Sequence, residues 1–374
     1  MSTSFSEICL WDAISGTRRQ MLETGASFGC PPATFSPDGR TLAFSTTGGI
    51  IVLWDMTGNM CRLKLDEGGP LITLLTFSPD GNTIATIAMD NIICVWDAKS
   101  GTLQQTLHGT KGGVHEVLFS PDGRILASIG YDSIIHIWNT ENWSHLYTTK
   151  WENLRIVTAT FSPNSQTLVL AFESEIHLWG ISSRISEQTI LMSCGLAVAI
   201  ALSPNGEILA TGSHNGFVRL WDIPTGIQRN VIRVGDSLTK LAFSPDGRYL
   251  ETDRGLLLAN IDVNTSHCAN EDQGLDVSSV ITHEDRESDV GSDASSSGTF
   301  DTKQLSRLSF LVDSEWVVRD GQPILWLPLD YRATSVSFRD GTVVLGHESG
   351  GVTFLRFGSE AQIPDQSLLV NRRR

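Results

Sequence analysis

Nine histidines and six cysteines are the side chains of this chain best suited to hold a metal or supply a nucleophile or base. Their spacing decides whether they can. Cys9, Cys30, Cys61, Cys94, Cys194 and Cys268 show no CxxC or CxxH spacing, the local arrangement that gathers ligands for a structural zinc site. The histidines do not cluster in sequence either, so no metal set and no catalytic triad can be started from them. HExxH, GxSxG and the phosphate loop GxxxxGK[ST] are absent. The sequence therefore reads as non-enzymatic: no catalytic residue, no cofactor, no metal. One modification site is legible. Thr282, followed by Glu284 and Asp285, suits an acid-directed kinase, and a phosphate there would deepen the local negative charge.

Charge and composition narrow the partners. A net charge of −15 argues against a phosphate-backbone ligand, which demands a concentrated basic surface. Between Ser266 and Asp301 stand nine acidic residues and one Arg, so about half of the net charge sits in one Ser-rich segment. That segment, 266–304, is poor in aromatics and is expected to be a disordered insertion. The N-terminus lacks a basic flank followed by an apolar run, so a secretory signal is not expected. No stretch approaches the roughly 20 apolar residues of a membrane span. Scattered cysteines in such a chain read as reduced thiols, placing it in the cytoplasm, with the nucleus also open.

The strongest signal is repetition. Phe-Ser-Pro-Asp-Gly occurs at 35–39, 77–81, 119–123 and 243–247, with variants at 161–165 and 202–206. In phase with it run ICLWD, IVLWD, ICVWD, IHIWN, IHLWG and VRLWD, whose tryptophans are Trp11, Trp54, Trp96, Trp138, Trp179 and Trp221. The tryptophans step by 43, 42, 42, 41 and 42 residues. Pro fixes φ and Gly tolerates positive φ, so the first phrase makes a hairpin turn. The second alternates β-branched and large residues, as a strand buried on both faces does. Four short strands per period make one propeller blade.

Those Trp-Asp strand ends, the turns and the period resemble the WD40 family over about residues 8–262. The resemblance implies an all-β propeller of seven blades, closed by N- and C-terminal strands. Five regular blades run from Ala33 to Arg233, and a sixth is interrupted by the insertion and resumes at Glu315–Pro328. Ala333–Phe357 supplies three strands of a seventh, and the N-terminal strands are one more than closure needs. The expected domains are 1–265 and 305–358 for the propeller, 266–304 for the insertion and 359–374 for a tail. The family's buried His–Ser/Thr–Asp–Trp network is incomplete: Ser128 and Asp132 fit around Trp138, but Thr110 stands at the His position.

The C-terminal third, including WVVRDGQPILWLPLDYRATS and VVLGHESGGVTFLRF, resembles the closing region of propellers that end fungal NACHT-type STAND receptors. That resemblance implies a ligand-sensing end, or a stand-alone derivative, without the nucleotide switch. The other readings are a constitutive scaffold subunit of a multiprotein complex and a propeller enzyme with an unrecognised channel site. Propellers of this family bind protein partners where second and third strands connect. By repeat alignment this surface falls on Met89, Tyr131, Glu173, His214, Arg254 and Glu348, with Asp90 and Asp132 holding their turns. The expected partners are proteins, with neither nucleic acid nor membrane.

Overall fold

The computed structural model describes the chain except Met1, 4–6, 13–16, 26–31, Thr47, 66–70, Asp90, Asn153, 193–195, 235–237, Arg254, 259–274, 277–309, 313–315, 320–321, 328–332, Thr334, 340–341, 348–351 and 357–374. Among the described residues every regular element is a strand. The chain divides into two compact units, Met1–Met192 and Ser193–Arg374.

The first unit opens with a three-stranded sheet, Ser2–Thr3, Glu7–Trp11 and Arg18–Glu23. Four antiparallel four-stranded blades follow, named here by their tryptophans. The Trp54 blade runs from Ala33 to Leu65 and the Trp96 blade from Ile72 to His108. The Trp138 blade covers Val114–Lys150 and the Trp179 blade Thr158–Leu191. The second unit holds three more: the Trp221 blade (Ala197–Arg233), a six-stranded sheet beginning at Leu241–Phe243, and the strands Ser335–Arg339, Thr342–Gly346 and Val352–Arg356. Among the described residues the all-β chain thus shows seven propeller-type blades, four in the first unit and three in the second, as the period implies. Trp316–Arg319 and Gln322–Trp326 complete the interrupted sixth sheet, where the sequence puts them. Most of 266–304 lies outside the described residues; Leu275–Asp276 within it pairs in parallel with Ile232 and Arg233.

Each repeat phrase builds the same local structure. In the first Ser-Pro-Asp-Gly turn, Ser36 Oγ donates to Asp38 Oδ1 at 2.6 Å and accepts from Thr41 N–H at 2.9 Å. The pattern recurs at Ser78, Ser120 and Ser244 and, with Asn in place of Asp, at Ser162 and Ser203. Gly39, Gly81, Gly123, Gly206 and Gly247 all take φ between 69° and 75°, a conformation that costs a side-chain-bearing residue energy. The bonds from Ser36 and the Arg40 backbone hold the Asp38 carboxyl below its ordinary range. At the Trp-Asp ends the register shifts just before Trp54, Trp96, Trp138, Trp179 and Trp221. Each shift is a β-bulge that increases the local twist.

The core lies between successive blades. Trp96 packs with Ile51, Leu53 and Leu65 of the preceding blade, and Trp138 with Ile87, Ile93 and Val95. Trp179 likewise meets Ile129, Ile135 and Ile137. Polar support is partial, as the missing histidines imply. Trp96 Nε1 donates to Thr86 Oγ1 at 3.2 Å, Trp138 to Ser128 at 3.4 Å and Trp221 to Thr211 at 3.1 Å. Trp54 has Phe44 at the same offset, and its indole N–H is buried without a hydrogen bond among the described residues.

Candidate interaction surface

The strand connections of the first unit position one set of candidate residues. Met89 follows the second strand of its blade, its N–H bonded to Leu71 O at 3.0 Å. The turn closes through Asn91, whose φ of 65° and N–H bond to Ala88 O at 3.0 Å reverse the chain. The Met89 side chain makes no part of this scaffold and is 66% exposed. Tyr131 repeats the geometry. Its N–H meets Gly113 O at 3.0 Å, and Ser133, at φ 58°, closes the turn onto Gly130 O. Tyr131 is 61% exposed. Backbone bonds fix both residues while their side chains remain available, which suits an anchoring role.

One tight approach joins the two turns. Gly113 has φ 91°, and a Cβ there would stand 3.1 Å from Asn91 Oδ1 and 3.3 Å from Tyr131 Cδ2. Loop 109–113 is therefore wedged between the Met89 and Tyr131 connections. Asp132 turns inward, accepting from Gly112 N–H at 3.2 Å and Ile134 N–H at 3.4 Å. It holds the turn, as its position in the repeat implies. Buried Thr110, at the position where the WD40 resemblance expects His, bonds locally, to Gly113 O at 3.2 Å.

Three neighbours escape the sequence reading. Leu71, 39% exposed, is tied to Met89 through the backbone. The His115 ring lies 5.1 Å from the Tyr131 ring at 46°. Burial, and then the positive charge of Arg155, push the His115 pKa down, so the imidazole is neutral at physiological pH. Its Nε2 is buried without a hydrogen-bond partner among the described residues. The surface thus combines a thioether, a leucine and a phenol over a neutral imidazole, with Arg155 nearby. The only signal for His115 is its place next to Val114 at the start of a blade, which does not distinguish it from ordinary strand residues.

The remaining candidates separate. Glu173 is exposed beside Ser174, whose carbonyl accepts Met192 N–H at 2.9 Å. In the second unit His214 is exposed, on a turn closed by Gly216 N–H to Ser213 O at 3.0 Å. Asp253 plays the part of Asp132, accepting Thr239 N–H and Oγ1–H at 3.0 Å each. His347 is half-buried and bonded to Thr353 Oγ1 at 2.8 Å. Asp90, Arg254, Glu348 and Thr282 lie outside the described residues. Among the described residues no three His, Cys, Asp or Glu side chains converge as a metal set, and no helix is long and apolar enough to cross a membrane.

Pinned Ser-Asp turns, bulged Trp strands and Trp–Ser/Thr bonds together define a chain of WD40 repeats in a seven-bladed β-propeller fold. Comparison with known proteins agrees. The family model described as "WD domain, G-beta repeat" matches residues 61–97, 101–139 and 190–222. The chain is 27% identical over 105 residues to the small ribosomal subunit protein RACK1 of Neurospora crassa, covering 27% of this chain and 32% of that protein. It is 26% identical, again over 105 residues, to cross-pathway control WD-repeat protein 2 of Flammulina velutipes, with 27% and 32% covered. The matched segment thus spans about a third of each of these relatives.

Proposed function

We propose that this chain is a non-catalytic, cytoplasmic protein-interaction propeller that engages a protein partner through the Met89–Tyr131 connections. The observation that carries the reading is the exposure of Met89 and Tyr131 on backbone-fixed turns joined through Gly113. Preorganised anchors bind without a large ordering cost. In its finer form the proposal is a ligand-sensing end of a STAND-type receptor, or a stand-alone derivative, supported by the C-terminal sequence resemblance. Glu173 is a further proposed partner-binding residue of the first unit, His214, Arg254 and Glu348 are those proposed for the second, and Thr282 is the proposed phosphorylation site.

Similarity to a protein named as a ribosomal subunit component favours a second reading, a constitutive scaffold subunit. Immunoprecipitation from source cells tests both. Met89→Ala and Tyr131→Ala should each lose the partners that the native chain captures, with unchanged melting temperature. Equal capture by the variants refutes the choice of surface. The size of the native antigen separates the readings: a species well above 40.8 kDa supports the receptor end, and one at that mass supports the scaffold.

A further inference from the structure

A pair of histidines on the Trp138 blade lies outside the surface described above. His136 stands on the third strand, Ile134–Asn139, and His145 begins the fourth, His145–Lys150. The register sets His136 opposite Thr148 and Trp138 opposite His145, with the β-bulge at Trp138 offsetting the two strands. That offset turns both rings to one spot. His136 Nδ1 lies 3.4 Å from His145 Nε2 and 2.7 Å from Thr148 Oγ1, and His145 Nε2 lies 3.0 Å from Thr148 Oγ1. Trp138 forms one wall, its ring 4.8 Å from His145 and 5.9 Å from His136. His145 and Thr148 are exposed, so the triangle opens to solvent.

We infer that His136 Nδ1 and His145 Nε2 chelate a zinc-class divalent ion, with Thr148 Oγ1 as a third, weaker donor. Two zinc–imidazole bonds of about 2.0–2.1 Å at a tetrahedral angle separate their nitrogens by roughly 3.4 Å. The pair already has that separation. Neutral imidazole is a preferred ligand for zinc, copper and nickel. Binding takes both rings as the neutral tautomers that carry their N–H on His136 Nε2 and His145 Nδ1, leaving the two facing nitrogens free to ligate, and water or a partner's donor fills the remaining position.

The next blade supplies an internal control. His177 meets Ser186 Oγ at 2.9 Å and Thr189 Oγ1 at 3.2 Å through its Nδ1. The arrangement is the same with Ser186 in place of His145, and it provides one imidazole. His145→Ser therefore copies a set that the fold already accommodates. The test titrates Zn2+ into the full chain by calorimetry, and Cu2+ while following tryptophan emission. The expected result is one Zn2+ fewer bound by His145→Ser, or affinity at that site down about tenfold or more, as loss of even a ligand's supporting partner can cause. Quenching of emission by Cu2+ should fall in parallel. Should His145→Ser fail to fold, His136→Asn replaces it with the same expectation. Unchanged stoichiometry and affinity in a folded variant, or no saturable Zn2+ binding by the native chain, overturns the inference.

Discussion

Glu116 sits on the first strand of the Trp138 blade and bonds across to the next blade, its Oε2 accepting Ala159 N–H at 3.1 Å. Burial pushes its carboxyl up to about 7 from an ordinary 4.5, against the opposing pull of the Ala159 N–H and the Thr158 side chain. The folded pKa is raised, so the native state holds a proton that the unfolded chain releases between these values. Stability contributed by this group is present below about 4.5 and is lost as pH rises through about 7. The full difference corresponds to roughly 3 kcal/mol at 1.36 kcal/mol per pH unit. Residual water access at this partly buried side chain lowers it to about 1–3 kcal/mol. Glu116→Gln is neutral at every pH and keeps an oxygen for Ala159. Urea unfolding at pH 5 and pH 8 should show the variant nearly matched to the native chain at pH 5. At pH 8 it should be more stable by about 1–3 kcal/mol. A variant equally or less stable at pH 8, with the same pH slope as the native chain, refutes the argument.

Other expectations follow from single contacts. Thr86→Val keeps shape but orphans the Trp96 N–H, costing about 1–3 kcal/mol in chemical denaturation. Gly130→Ala would drive a methyl into Thr110 and Asp132, both of which hold the Tyr131 loop; overpacking of about 1–3 kcal/mol should appear as a lower melting temperature. Phe44→Thr offers the stranded Trp54 indole N–H an acceptor, and a shift in its amide-region NMR resonance would report the new bond. Ser186→His should install a second Zn2+ site on the Trp179 blade, read as one additional equivalent in calorimetry.

How much of this was legible in the sequence depends on whether the physics is local. The Ser-Pro-Asp-Gly turns and Trp-Asp bulges are closed by residues two to five positions apart, such as Ser36 with Asp38 and Thr41. A sequence displays such contacts directly, so blade order and turn conformation could be read from it. The absence of the family's His was also visible, and the truncated Trp–Ser/Thr bonds follow from it. Glu116 with Ala159 and His115 with Arg155 were hidden because they join separate blades or loops. The pairing of His136 with His145 spans nine residues, but its convergence depends on the bulge at Trp138. Spacing alone starts no metal argument there; register does.

The repeats also show where specificity resides. Met89, Tyr131 and His214 occupy the same step of their blades, seven residues before the tryptophan, and their turns are closed by equivalent backbone bonds; in the Trp179 blade buried Phe172 holds that step and Glu173 follows it. Asn91 and Ser133 both take the left-handed conformation at 65° and 58°. Geometry is thus held constant by main-chain chemistry, which does not depend on the exposed side chain. The exposed positions at this step then differ in kind: thioether, phenol and imidazole. A position free of any part in closing its turn can change without unfolding the blade, since surface changes away from structural contacts cost within about 0.5 kcal/mol. Such freedom is what a recognition surface requires. Interchanging Met89 and Tyr131 should therefore preserve the melting temperature and alter partner capture; a large loss of stability would instead assign these side chains to the fold.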